Sequence, residues 1–178
     1  MFKPAILYKD ELEKCFAEYL YTEDYFYYMG YSGGNELPNF EVADNHYQYA
    51  VVDNDNNVVG YFAYRLDERT YSVYNFGMFS FIRDNFLFVQ NVMAKMKELV
   101  KKYNRVEWRV ISGNPIVKIY DDFCKKYNGN KVCLHNVTLD LNNNFRDNYI
   151  YEIIKPKCSC KCKAKGEDNE TRNETGNR

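Results

Sequence analysis

The chain has 178 residues, 46% of them hydrophobic and 17% aromatic, which suits one domain with a sizeable core and leaves too little length for two comfortable ones. A formal charge of −1 supplies no global field for nucleic acid, so a phosphate backbone could be held only by a local patch. No apolar run approaches the length that spans a bilayer, and Met1-Phe2-Lys3-Pro4 leads into patterned sequence rather than a signal peptide; a cytoplasmic protein with neither nucleic-acid nor membrane partners is expected.

Pro4 to Tyr8 reads as a short first strand. From Asp10 the period changes, and Leu12, Cys15, Phe16, Tyr19 and Leu20 form an i, i+3, i+4, i+7, i+8 stripe, predicting an amphipathic helix capped by Asp10. Thr22 to Phe40 is a long aromatic connection with a Gly33-Gly34 break, expected to pack as a second short helix and partly to lid something. His46 to Val52 and Val58 to Leu66 flank the polar turn Asp53 to Asn57 and read as a hairpin, with a third strand from Tyr71 to Phe81. Within that third strand Asn75 and Gly77 interrupt a β-prone run, as at a bulge or a place of close approach.

Asp84 to Tyr103 has the strongest helical pattern, with Val89, Val92, Met93, Met96, Leu99, Val100 and Tyr103 on one face as core. Val106, Trp108 and Val110 then alternate as a strand. After the Ser112-Gly113 break, Asn114 suits an N-cap and Pro115 a first helical position, with Ile116, Ile119, Tyr120, Phe123 and Tyr127 at helical spacing. That helix is expected to stop at Asn128-Gly129. Lys131 to Leu141 and Asn148 to Ile154 read as a last hairpin. The element order predicts an α/β fold: a mixed, mostly antiparallel central sheet with helices on both faces and one parallel crossover through the long helix.

From Lys155 the composition turns to lysine and cysteine, then to a polar mixture without one aromatic. This predicts a domain over 1–154 and a disordered tail over 155–178. Cys158, Cys160 and Cys162 in that tail could hold a soft cation, but three thiolates leave an incomplete shell, and an inert tail is the expectation. Cys15, Cys124 and Cys133 read as reduced core residues. Neither His46 nor His135 has a cysteine or carboxylate partner at ligand spacing, so both read as ordinary strand residues and no metal site is expected.

The strand Ser72 to Phe81 leading into the helix from Asp84, then the Val106 strand and the Asn114-Pro115-Ile116-Val117-Lys118-Ile119-Tyr120 segment, resembles the GNAT superfamily of acyl-CoA-dependent N-acetyltransferases. That resemblance implies transfer of an acetyl group from acetyl-CoA, as co-substrate, to an amine of a small molecule or protein. It places pantetheine against the backbone of Met78, Phe79, Ser80 and Phe81, and the pyrophosphate at Arg83 and Asn85 before the long helix, whose N–H donors suit a diphosphate. Asn114 would bond the cofactor arm, and Tyr120 would give the departing thiolate its proton. Glu107 is the candidate base on the neighbouring strand; it shares a face with Arg109, with which an ion pair is the alternative. The family's pyrophosphate loop carries glycines, whereas this chain has Ile82-Arg83-Asp84-Asn85-Phe86-Leu87 there. An inactive domain of the same fold that binds a partner is the alternative function.

Overall fold

The computed structural model describes residues 1–29 and 37–155. Its strands are β1 (Phe2–Pro4), β2 (His46–Val52), β3 (Val58–Asp67), β4 (Ser72–Ser80), β5 (Arg105–Ile111), β6 (Asn130–Leu139) and β7 (Phe145–Ile154); its helices are α1 (Lys9–Tyr19), α2 (Glu23–Met29), α3 (Phe86–Lys102) and α4 (Val117–Lys126). The strands form one seven-stranded sheet in the order β1-β2-β3-β4-β5-β7-β6. Every neighbouring pair is antiparallel except β4 and β5, which run parallel across the α3 crossover.

Strand alternation sends side chains to two faces, and each face buries its own helices. On one, Val106, Trp108 and Val110 join Val92, Met96 and Leu99 of α3 and Tyr120 and Phe123 of α4. Trp108 stacks on Tyr151 of β7 with ring centroids 5.2 Å apart. On the other, Leu12 and Phe16 of α1 and Tyr25 of α2 pack on Ala50, Tyr61 and Phe79. The mixed sheet with helices on both faces is the architecture its sequence pattern predicts.

Several boundaries differ from expectation for local reasons. The first strand stops at Pro4, which has no N–H to extend a ladder, and Ala5–Tyr8 winds as a 3-10 turn instead. That turn runs straight into α1, so Asp10 lies inside its first turn and caps nothing; the cap position is Tyr8, without a side-chain bond. Helix α3 begins after Asp84, whose φ of 54° interrupts the helix, and Asn85 caps it by accepting from the Phe88 N–H at 3.0 Å. Helix α4 begins at Val117, not Pro115, because Asn114 folds a turn first: its Oδ1 accepts from the Ile116 N–H at 3.1 Å and its carbonyl from the Val117 N–H at 3.1 Å. At its far end Asn128 takes a φ of 52° and the Gly129 N–H donates to the Cys124 carbonyl at 2.9 Å, the expected stop. The Gly33-Gly34 break and the tail from residue 156 lie outside the described residues.

Candidate active site

Strands β4 and β5 pair only where they start, Ser72 with Arg105 and Val73 with Val106. Beyond that the two neighbours part. The cause lies in β4: its ladder with β3 steps from Arg65↔Tyr74 to Ala63↔Gly77, so β4 carries one more residue than its partner, and Asn75 absorbs the excess at a φ of 51°. The bulge also switches sides. Val73 and, after the extra residue, Phe76 and Met78 all face the α3 core, while Phe79 faces α1.

The opening is a cleft of about 870 Å³. Phe76, Met78 and Ser80 line one wall, Arg109 and Val110 the other, and Ile116 and Tyr120 of α4 reach in from the far end. Asn85, Val89, Val92 and Met93 bring α3 to its side, so part of the predicted core stripe is also cleft wall. Helix α2 both packs and borders the opening, as the aromatic segment suggested: Tyr25 is buried in the second core while Asp24, Tyr27 and Tyr28 line the cleft.

Main-chain direction follows from the β3–β4 ladder. The Phe81 N–H donates to the Val59 carbonyl at 3.0 Å; alternation therefore turns the main-chain groups of Phe79 and Phe81 toward β3, and those of Met78 and Ser80 toward the gap. Phe81 also accepts from Tyr19 Oη at 2.6 Å and packs beside Phe16, so it does not line the cleft.

Tyr120 is 5% exposed, and its hydroxyl crosses the bottom of the cleft to donate to Met78 Sδ at 3.4 Å. Burial pushes its phenol well above the usual tyrosine range, so the proton stays on oxygen. Asn114 borders the cleft, with Oδ1 engaged in its own turn. Asn85 is there too, with Oδ1 capping α3; the N–H groups of Phe86 and Leu87 have no acceptor within the helix at its start. Arg83 lines the mouth and grips Asp24 of α2 through Nε at 3.3 Å and Nη2 at 3.0 Å. Glu107 stands apart from the lining residues, held by Arg105 at 2.7 Å and Arg109 at 3.4 Å, and Arg105 extends the pairing to Glu152 at 3.0 Å.

Outside the cleft, two sequence expectations are corrected. His135 does have partners: its Nδ1 lies 3.5 Å from Cys133 Sγ and 3.3 Å from Asp147 Oδ2, and Sγ lies 3.6 Å from Oδ2. Cys133 is accordingly no core cysteine but half-buried in this cluster. The Cys133-x-His135 spacing on one strand face was the available signal. The third member is twelve residues further on, across a hairpin whose register the sequence does not reveal.

No protein-family model and no curated protein sequence matches the chain. Solved structures do. A candidate phosphinothricin N-acetyltransferase matches with a TM-score of 0.57 at 11% identity, over 84% of this chain and 95% of that one. An N-acetyltransferase from Staphylococcus aureus Mu50 matches with a TM-score of 0.56 at 13% identity, over 82% and 93%. The ribosomal-protein-S18-alanine N-acetyltransferase from Escherichia coli matches with a TM-score of 0.51 at 10% identity, over 67% and 76%. Among the described residues no helix is long and apolar enough to cross a membrane. The chain has a divergent GNAT-like fold.

Proposed function

We propose that on this GNAT-like fold the cleft between β4 and β5 holds acetyl-CoA, and that the protein is a cytoplasmic N-acetyltransferase acting on an amine of a small molecule or protein. The observation that carries the reading is the parting of β4 from β5 with the Tyr120 hydroxyl inside the opening. The pantetheine arm lies along β4, where the Met78 and Ser80 main-chain groups point into the gap and take the place of the missing ladder partner. The pyrophosphate lies toward the Phe86 and Leu87 N–H groups.

A neutral amine attacks the thioester carbonyl carbon, and a β4 N–H stabilises the oxyanion that forms. The carbon–sulfur bond then breaks, and the departing thiolate takes its proton from Tyr120 Oη, whose acceptor among the described residues is the Met78 thioether. Glu107 is already committed to two arginines, so the amine proton leaves through water, and a proton taken up from water restores the Tyr120 phenol.

Two observations favour the second reading, a partner-binding domain without catalysis: the turn before α3 has no glycine, and its Arg83 is engaged by Asp24. Calorimetric titration with acetyl-CoA separates the two. Saturable heat together with a rise in melting temperature supports the transferase. No heat and no thermal shift at millimolar acetyl-CoA abandons it.

A further inference from the structure

We propose that Cys133, His135 and Asp147 form a zinc site with three protein ligands and a fourth position open to water. Such a site stands whether or not the cleft holds acetyl-CoA. Sγ, Nδ1 and Oδ2 converge on one point, with separations of 3.5 Å for S to N, 3.6 Å for S to O and 3.3 Å for N to O. A tetrahedral zinc with bonds of about 2.3 Å to sulfur and about 2.0 Å to nitrogen and oxygen holds such ligands about 3.5, 3.5 and 3.3 Å apart. A Cys-His-Asp proton relay has a different shape, because it needs the cysteine and the carboxylate on opposite ring nitrogens. Here both face Nδ1.

The donor set chooses the class of ion. A thiolate disfavours Mg²⁺ and Ca²⁺, and one sulfur, one imidazole and one carboxylate suit zinc. The backbone is arranged for the cluster. Between Leu134↔Asn148 and Thr138↔Arg146 the β6 side advances four residues against two on β7, and Asn136 takes a φ of 56°. This bulge lets His135 and Asp147 meet. The Asn136 N–H donates to Asp147 Oδ1 at 3.0 Å, which fixes Oδ2 toward the other two ligands, as outer-shell partners do in metal centres. Asp147 is also tied to the turn after β5: the Ser112 N–H donates to its carbonyl at 2.8 Å, and its own N–H donates to Ser112 Oγ at 3.1 Å. Asp147 thus ties the hairpin that carries the site to the turn that borders the cleft.

The test uses the full chain carrying Cys158→Ser, Cys160→Ser and Cys162→Ser, so that tail thiols cannot contribute. After dialysis against micromolar zinc chloride, elemental analysis is expected to find about one equivalent of zinc. Cobalt in its place is expected to give a thiolate charge-transfer band and the intense visible bands of a tetrahedral site. The His135→Ala and Asp147→Ala substitutions each abolish binding, and His46→Ala leaves it intact. The His135 side chain is 75% exposed, so its removal does not threaten the fold, and circular dichroism verifies this. Less than about a tenth of an equivalent in the parent protein, or full occupancy in His135→Ala, overturns the site.

Discussion

In the proposed transfer a general acid has to hold its proton until the leaving group needs it, and that is the part given to Tyr120. Phenol and thiol ordinarily titrate near ~10 and ~8.5, and burial moves Tyr120 further up. Transfer to a thiolate is therefore feasible only if the thiolate is desolvated beside the buried phenol, where its proton affinity rises as well. Tyr120→Phe removes one hydroxyl and leaves the ring packed against Trp108 at 5.9 Å. Its expected effect is a fall in kcat of about 10²- to 10⁴-fold, with the KM for acetyl-CoA and the melting temperature nearly unchanged. Steady-state kinetics checks this, and wild-type turnover in the variant would remove Tyr120 from the chemistry. Tyr120 was legible because helical spacing and the family resemblance both point to it. The engagement of Arg83 by Asp24 was not, since 59 residues separate them and only the folded chain brings them together.

Among the elements, β4 decides what the molecule can hold. An extra residue at Asn75 ends its partnership with β5 early and turns Met78 to the α4 side, where Tyr120 reaches it. Asn tolerates a left-handed φ; a β-branched residue does not. Asn75→Gly is expected to keep stability and function. Asn75→Val is expected to cost about 1–3 kcal/mol in urea unfolding through backbone strain and to weaken acetyl-CoA binding with it. Equal stability of the two variants would mean that the bulge is not held in that conformation. Sequence showed the interruption at Asn75 and Gly77 but not its register, because register is fixed by pairing with β3. The helix starts were misplaced for a related reason. Asp84 and Asn85 are both good caps on paper, and the left-handed φ at Asp84 leaves the role to Asn85. Asn114 likewise closes a turn of its own before α4 begins.

At the scale of the whole molecule, alternation and helical periodicity were enough to give the order of strands and helices, since each face of the sheet needs an apolar layer to bury. They could not reveal the Cys133, His135 and Asp147 meeting, which depends on a hairpin irregularity. The aromatic content has a consequence for pH. Burial is the first cause that lifts Tyr61, Tyr64, Tyr120 and Tyr151 above the ordinary tyrosine value, and Asp121 adds to the rise at Tyr151. In the unfolded chain these phenols lose protons near about pH 10, while the fold retains them. The unfolded state then binds fewer protons than the native one, so stability falls with rising pH above that point and is fully present below it. Urea midpoints are expected to be level between about pH 7 and pH 8 and to have dropped by about pH 11, the raised thiols of Cys15, Cys124 and Cys133 adding to the fall; a level midpoint throughout would contradict the assignment.

Under the proposed function, acetyl-CoA replaces β5 as the partner of β4 where the two strands part. Hydrogen exchange at single-residue resolution, with and without saturating acetyl-CoA, tests it most directly. The Met78 and Ser80 amides are predicted to slow on binding, while the Phe79 and Phe81 amides, already donating to β3, stay as they were. Unchanged exchange at Met78 and Ser80 under saturation would contradict the account.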